Sequence, residues 1–253
     1  MPRTQVAIKD QLLNPNFLKS LSEILPTTFS PERMVRLALS SITNNDRLMK
    51  CSVYSIRFGI VEAARLGLEI GGPLGQAYLT PRKGQAVLVL GYRGMIDIAI
   101  RTGLVNAIMA EVVREGDKFS FEYGTQRKLR HIPIGDPDAP VTHAYALADM
   151  PGGTQIFHVL SRKEIERVRL RSEGGKSEKS PWATDYAEMA RKTALRSIFK
   201  LLPTTPAVRE TFVRQEAQAS DTDAIQIDAA SDRVIDGNII DPETGEILQQ
   251  GAA

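Results

Sequence analysis

Residue types that build disulfides, metal sites and stacking surfaces are scarce in this sequence. It contains one cysteine, one tryptophan and three histidines among 253 residues, and aromatic residues make up 6%. The single cysteine, Cys51, excludes an internal disulfide and is typical of a reducing compartment. The histidines His131, His143 and His158 lack the spacing of metal ligands, and one cysteine does not complete a zinc site. We therefore expect no disulfide, no metal centre and no cofactor.

Long apolar runs are also missing. The longest uninterrupted one, 86–90, falls far short of the ~18 residues of a membrane span. The N-terminal sequence MPRTQVAIKDQLL has no apolar core of signal-peptide length. Hydrophobic residues nevertheless make up 42% and charged residues 25%, as in a globular protein with a packed core. The sequence thus predicts a cytoplasmic protein without membrane contact.

Charge is distributed unevenly along the chain, although the net charge is only +2. Residues 204–253 contain three cations and ten acids, a net charge of −7, whereas residues 1–203 contain 29 cations and 20 acids, a net charge of +9. A basic body predicts a polyanionic partner, and an acidic end predicts a regulatory or partner-binding segment, or one that only aids solubility. We divide the chain into a core, 1–206, and an acidic, largely flexible tail, 207–253. Within the tail we expect disorder from Val213 to about Asp232 and a small hairpin in DGNIIDPETGEIL.

The stretch 75–103, GQAYLTPRKGQAVLVLGYRGMIDIAIRTG, predicts strand, turn, strand and helix. Two apolar-rich runs surround a short turn with Arg82 and Lys83 at its tip, which is typical of a hairpin. The period then changes to that of a helix, which ends near Gly103. Tyr92 and Arg93 lie at the strand-to-helix corner, where free backbone N–H groups favour a phosphate.

The remaining chain predicts helices before and after a small antiparallel sheet. Ser30-Pro31-Glu32 is a helix start, and a second helix spans 51–66 and ends at Gly67. Strands are predicted at 105–113, 118–123, 141–149 and 154–160, and the cluster TQRKLRH between them lies in a loop or an edge strand. The fold class is therefore α+β, with hairpins packed against several helices.

A long helix predicted at 182–202 has a row of cations. Lys192, Arg196 and Lys200 are four residues apart, so they share one side, with Arg191 beside them and Lys176 and Lys179 in the polar segment before the helix. The structural alternative is that Glu188 pairs with Lys192 and that cations stabilise a helix C-terminus. This alternative explains one or two of the cations in the row. Trp182 is either a base-stacking platform or a hydrophobic clamp at the helix start, and Tyr92 has the same two alternatives.

Motifs of catalysis are not found. Gly175-Lys176-Ser177 matches the end of a phosphate-binding loop, but the glycine required five residues earlier is Leu170, and a helix precedes the segment instead of a strand. We therefore expect a binding protein, not an enzyme.

Three motifs, PLGQAYL, GYRGMIDIA and SPWATDYAEMARKTALRSIFKLLP, resemble the RecT family of phage and prophage single-strand DNA annealing proteins, relatives of the Red beta recombinase. The resemblance covers about 14–203. It implies ATP-independent annealing in homologous recombination and DNA repair, inside a bacterial host cell. It also implies rings or helical filaments on single-stranded and annealed duplex DNA, a partner exonuclease, and contact with a host single-strand binding protein.

These observations lead to one site hypothesis. A protein that pairs two strands has to bind their phosphates and leave the base edges exposed, which requires cations and few aromatic residues. We predict one groove, shared along an oligomer and lined by the following DNA-binding residues: Arg82, Lys83, Tyr92, Arg93, Lys176, Lys179, Trp182, Arg191, Lys192, Arg196 and Lys200. Weaker candidates are Arg127, Lys128 and Arg130. The alternatives are a metal-dependent nuclease and an RNA-binding assembly module.

Overall fold

The computed structural model describes residues 3–27, 29–172, 175–219, 239–240 and 247–248. Its first third consists of five helices: α1 (Arg3–Leu12), α2 (Pro15–Ser22), α3 (Pro31–Thr43), α4 (Asp46–Met49) and α5 (Val53–Leu66). The side chains of Asn14, Ser30, Asn45 and Ser52 start α2 to α5, because each accepts a hydrogen bond from a backbone N–H of the first turn. Left-handed backbone at Gly67 (φ 62°) ends α5, as predicted.

Strands and further helices follow from residue 77. They are, in order, β1 (Ala77–Arg82), β2 (Gln85–Leu90), α6 (Tyr92–Arg101), β3 (Ala107–Arg114), β4 (Lys118–Glu122), β5 (Lys128–Ile132), β6 (Val141–Asp149), β7 (Gln155–Ser161), α7 (Arg162–Arg171), α8 (Pro181–Thr184), α9 (Tyr186–Phe199), α10 (Pro206–Ala219), β8 (Ile239–Ile240) and β9 (Ile247–Leu248). They form the antiparallel sheets β1–β2, β3–β6–β7, β4–β5 and β8–β9. The predicted α+β class is confirmed, and β8–β9 is the hairpin predicted in the tail.

The described residues fold as two compact units, and the first combines the N-terminal part of the chain up to Gly94 with 206–219. In this unit, hairpin β1–β2 packs on α5, and α10 packs on both α5 and β2. The two helices also cap the outer edge of β2. Ser55 Oγ accepts a hydrogen bond from Ala86 N at 2.8 Å, and Gln215 Oε1 accepts one from Leu90 N at 3.1 Å. Capped N–H groups are not available to pair with a foreign strand.

Helix α10 differs from the predicted tail. Its residues Val208, Phe212 and Gln215 are buried, and Arg214 forms an ion pair with Glu62 of α5. The folded first unit therefore includes 206–219, so neither a flexible tail from 207 nor disorder from Val213 describes this segment. Residues 220–232, for which disorder is also predicted, lie outside the described residues.

The second unit, in the described residues 95–172 and 175–205, has three layers. Strand β6 is central to its sheet, and its side chains alternate between two faces. Tyr145 belongs to a buried cluster with Val113, Phe157 and Val159, against which Leu147 of the same strand and Phe119 and Leu129 of hairpin β4–β5 pack. The opposite face presents three fully buried alanines, 144, 146 and 148, and α9 packs on the sheet with its own buried alanines 190 and 194. Small side chains on both surfaces allow a close approach of helix and sheet.

The predicted helix 182–202 is two helices. Ser180 caps the short α8, and the chain turns at Asp185 (φ −136°, ψ 49°) before α9 begins at Tyr186. Helix α9 ends at Phe199, just before the predicted stop at Pro203. None of the described helices is long and apolar enough to cross a membrane.

Candidate nucleic-acid interface

The turn of hairpin β1–β2 presents a cation in a strained conformation. Arg82 and Gln85 close a two-residue loop, Lys83-Gly84, in which both φ angles are positive (47° and 76°). Such loops match strand twist and normally contain Asn or Gly at these positions. A lysine at positive φ is unfavourable because its Cβ approaches the following carbonyl oxygen. Lys83 is exposed and Arg82 is half-buried, so the predicted basic tip exists.

The corner between β2 and α6 is built on two glycines. A Cβ at Gly91 would lie 2.1 Å from Gly75 O, and one at Gly94 would lie 2.1 Å from Gln76 O. Both positions therefore exclude every side chain, which gives the two glycines of GYRG a common physical cause. Between the glycines, Tyr92 and Arg93 begin α6 as predicted.

The Tyr92–Arg93 pair is organised internally. The Arg93 guanidinium lies over the Tyr92 ring, 5.6 Å from its centroid, and Arg93 Nε donates to Tyr92 Oη at 3.1 Å. Arg93 is exposed and Tyr92 is half-buried. The tip and this corner lie at opposite ends of a six-residue strand, which spans about 20 Å. A polyanion that contacts both has to run along the hairpin.

The α9 row, Lys192, Arg196 and Lys200, becomes more exposed towards the helix C-terminus. Lys192 is only 7% exposed, Arg196 is half-buried, and Lys200 is exposed at the C-cap. The side of the helix that is predicted to line the groove is thus partly covered. Among the three, Lys200 is the most accessible to a phosphate in this structure.

Arg191 has carboxylate partners on two elements. Its guanidinium pairs with Glu188 on the same helix and with Glu111 of β3 at 3.3 Å. Two opposite charges reduce what this arginine offers to a phosphate. The structure therefore favours a positioning role between α9 and β3 over the predicted DNA contact.

Trp182 differs in solvent exposure from the lysines that precede it. Trp182 is 2% exposed, and its ring contacts Tyr186 edge-on at 5.8 Å. Of its two predicted roles this favours the hydrophobic clamp, because a base cannot reach a buried ring. Lys176 and Lys179 are exposed. Residues 175–177, which resemble a phosphate-binding loop, lie between α7 and α8 and do not follow a strand.

The weaker candidates Arg127, Lys128 and Arg130 lie on or next to β5, and all three are exposed. Lys128 pairs with Glu122 across the hairpin at 3.5 Å. Sequence reasoning missed the aromatic residues Phe121 and Tyr123 on the neighbouring strand end. The alternation FSFEY predicts a strand. Its last aromatic residue, Tyr123, lies in the loop after β4, and this third aromatic residue in alternation is the signal that could have indicated an aromatic face extending beyond the strand.

A buried polar cluster attaches this hairpin to the sheet. His131 of β5 lies between Asp117 Oδ2 (3.0 Å from Nε2) and Tyr145 Oη (3.3 Å from Nδ1). Asp117 also accepts hydrogen bonds from the backbone N–H groups of Arg114 (2.7 Å) and Ile134 (2.9 Å). These donors, with Arg114 first and His131 next, lower the pKa of Asp117 from 3.8 to about 2.

The candidate residues thus form separate groups. The hairpin tip and the Tyr92–Arg93 corner belong to the first unit, whereas the α9 row, Lys176, Lys179 and the β5 cations belong to the second. The single groove that would join them stays a prediction. In the described part of the chain, no three His, Cys, Asp or Glu side chains are grouped to hold a metal ion.

Comparison with known proteins identifies the family. The RecT family model matches residues 32–228, from α3 through α10. The chain belongs to the RecT family. It is 41% identical over 231 residues to Protein RecT of Escherichia coli (strain K12), covering 88% of this chain and 83% of that protein. It is also 25% identical over 229 residues to the uncharacterized protein YqaK of Bacillus subtilis (strain 168), covering 90% and 78%.

Membership in the RecT family supports a recombination-related role in single-strand annealing. The family match includes the glycine corner, the tip of β1–β2 and the α9 row. It also includes α10, which agrees with the position of that helix in the folded first unit.

Proposed function

We propose that this protein binds single-stranded DNA and anneals complementary strands without ATP. One observation supports this most directly. The exposed residues of the predicted set are all cations, namely Lys83 and Arg93 in the first unit and Lys176, Lys179 and Lys200 in the second, whereas the ring of Trp182 is buried and that of Tyr92 is half-buried under Arg93. Exposed cations of this kind bind phosphates and leave the base edges free to pair.

Annealing needs no nucleotide, because base pairing itself supplies the free energy. The protein lowers the barrier by neutralising phosphates on two strands that otherwise repel each other. Our proposal includes assembly into rings or filaments, which would align the cations of successive subunits along the DNA. It also includes an exonuclease partner, a single-strand binding protein and a bacterial cytoplasmic location, all on the basis of the family resemblance.

The decisive experiment measures pairing of two complementary labelled oligonucleotides without nucleotide at two salt concentrations. We expect faster pairing with protein than without it, and a smaller acceleration at the higher salt. Protein that binds RNA at least as well as DNA and leaves the pairing rate unchanged would support an RNA-binding module instead. Magnesium-dependent cleavage of the same oligonucleotides would support a nuclease.

Lys200→Ala tests the contribution of one cation to DNA binding. Lys200 is exposed, so its removal tests phosphate binding with little effect on packing, whereas substitution of the buried Lys192 also disturbs packing. Removing one phosphate-binding cation should reduce the slope of log affinity against log salt by about 0.7 for single strands. Lys163→Ala, at an exposed position on α7, is the matched control and should leave the slope unchanged. Equal slopes for both variants would remove Lys200 from the site.

The acidic tail is best tested by removing the residues after Ala219. A cut at residue 206 would also remove α10 and uncap Leu90 N, and would thereby confuse tail loss with damage to the first unit. Tighter DNA binding after the cut at 219 would indicate that the tail competes with DNA for the cations. Unchanged binding would favour a docking role for the tail.

A further inference from the structure

Hairpin β4–β5 has one face against the sheet and one towards solvent. Its register pairs Phe119 with His131 and Phe121 with Leu129, so these four side chains share a face. On this face the Phe119 ring stacks on Tyr145 at 5.8 Å and 20°. Packing in the second unit therefore accounts for the first aromatic residues of the hairpin.

Tyr123 follows directly after the end of β4, where packing covers only part of its ring. Its hydroxyl accepts a hydrogen bond from Val159 N at 3.0 Å, and its ring stacks on Phe157 at 5.3 Å and 24°. Phe121 contacts it edge-on at 5.3 Å. Although three contacts fix this ring, the residue is 53% exposed, and Phe121 is 38% exposed. One side of a rigid aromatic pair is thus available to solvent.

The Tyr123 hydroxyl has a structural role, because it accepts a hydrogen bond from a backbone N–H on the outer edge of β7. The exposed ring is not explained by that hydrogen bond. A rigid aromatic surface loses little conformational entropy when a flat partner stacks on it.

Charge next to the ring identifies the kind of partner. The ladder of hairpin β4–β5 ends with the pair Glu122 and Lys128, so Tyr123 and Arg127 are the two residues that directly flank its last pair. In the part of the chain that the structure describes, neither Arg127 nor Arg130 has a carboxylate at ion-pair distance. A flat apolar surface beside uncompensated cations is complementary to an unpaired base with its phosphate.

We propose that the tip of hairpin β4–β5 is a contact for single-stranded nucleic acid, in which an unpaired base stacks on Tyr123 and Arg127 binds an adjacent phosphate. This inference rests on the proposed function and makes it more specific. The bases of a duplex are already stacked on each other, so their faces are not available to this ring. The stacking on Tyr123 therefore distinguishes the unpaired substrate from the paired product and ends when pairing is complete.

Two substitutions at one position separate stacking from the structural hydrogen bond. Tyr123→Leu keeps an apolar side chain but removes the aromatic face, whereas Tyr123→Phe keeps the face and removes only the hydroxyl. Binding is measured by fluorescence anisotropy with labelled oligo-dT and with a duplex of equal length. We expect Tyr123→Leu to weaken oligo-dT binding at least about fivefold without changing its salt slope or duplex binding. Tyr123→Phe should bind oligo-dT almost as wild type does, and Arg127→Ala should lower the salt slope by about 0.7.

A direct readout comes from Tyr123→Trp, since the only native tryptophan, Trp182, is buried. Oligo-dT should quench the fluorescence of the introduced indole, and wild-type protein, measured in parallel, gives the contribution of Trp182. If Tyr123→Leu does not fold, this quenching measurement still shows whether a base stacks at position 123.

Three results would overturn the inference. They are absence of quenching, wild-type oligo-dT binding by Tyr123→Leu, and equal losses of affinity in the Leu and Phe variants. If wild-type protein binds oligo-dT and anneals strands in these experiments, the proposed function stands without the inference. Wild-type protein that does neither would refute both.

Discussion

Replacing Lys83 by asparagine should stabilise the protein and weaken its binding to DNA. Lys83 occupies left-handed backbone (φ 47°), which costs an L-residue roughly 1–2 kcal/mol. Asparagine tolerates this conformation and is favoured at this position of a two-residue hairpin loop. Relief of part of the strain should therefore add about 0.5–1 kcal/mol to the free energy of unfolding, or about 2–4 °C of melting temperature at the upper end.

The same change removes a cation from the proposed DNA-binding surface. Without this phosphate-binding cation the salt slope should fall by about 0.7, which corresponds to a factor of roughly 2.5 between 50 and 200 mM salt. Stability is measured by urea unfolding and affinity by anisotropy with oligo-dT across that range. Replacing a structural residue lowers stability, whereas replacing a strained binding residue raises stability and lowers affinity.

Lys50→Asn is the matched control, because Lys50 is exposed in the same unit and has ordinary backbone (φ −89°). Lys50→Asn should change the free energy of unfolding by no more than a few tenths of a kcal/mol. It should leave the salt slope of DNA binding unchanged. Should Lys83→Asn destabilise the protein, the interpretation of its backbone is wrong. An unchanged salt slope would show that Lys83 does not contact DNA.

Two further predictions concern folding. The pKa of Asp117 is about 2 in the folded protein against an ordinary value of 3.8, so its contribution to stability is complete above pH 4 and decreases as the pH falls towards 2. Urea unfolding of Asp117→Asn should accordingly depend less on pH between 4 and 2 than wild type does, and identical pH dependence would contradict this. Gly94→Ala places a Cβ 2.1 Å from Gln76 O, and should lower the free energy of unfolding by about 1–3 kcal/mol or more. Gly103→Ala, which has open space but positive φ (70°), should cost less, and the reverse order would refute the steric explanation.

Local patterns predict local elements well. Two apolar runs around a Gly-containing turn predict hairpin β1–β2, and the Ser-Pro-Glu start predicts α3. Both signals depend on neighbouring residues only, so tertiary packing does not alter them.

The burial of Lys192 is not predictable from spacing alone. Positions four residues apart show which side chains share a side of a helix, but not what packs on that side. In α9 most sides are covered, and Met189, Thr193 and Leu195 are buried along with the alanine face. The sequence indicates the row, and only the structure shows that its accessible end is Lys200.

Helix α10 is not predicted from the sequence, because the prolines before it and the acidic residues after it suggest a tail and hide its helical pattern of apolar residues. Pro203 and Pro206 suggest the end of the folded core, whereas Pro206 is the first residue of a new helix, a position that proline favours. The buried residues Val208, Phe212 and Gln215 are spaced by four and three, which is the helical stripe that periodicity analysis seeks. The acidic residues beyond 219 conceal this signal.

The return of α10 to the first unit has a consequence during synthesis. Residues 95–205 are inserted between two segments of the first unit, so the ribosome completes this insert before it releases the helix that caps Leu90. Domains usually fold in the order of their synthesis. Here the unit that begins at the N-terminus is finished last, and a nascent chain stalled between 205 and 219 would expose the edge of β2 to neighbouring chains.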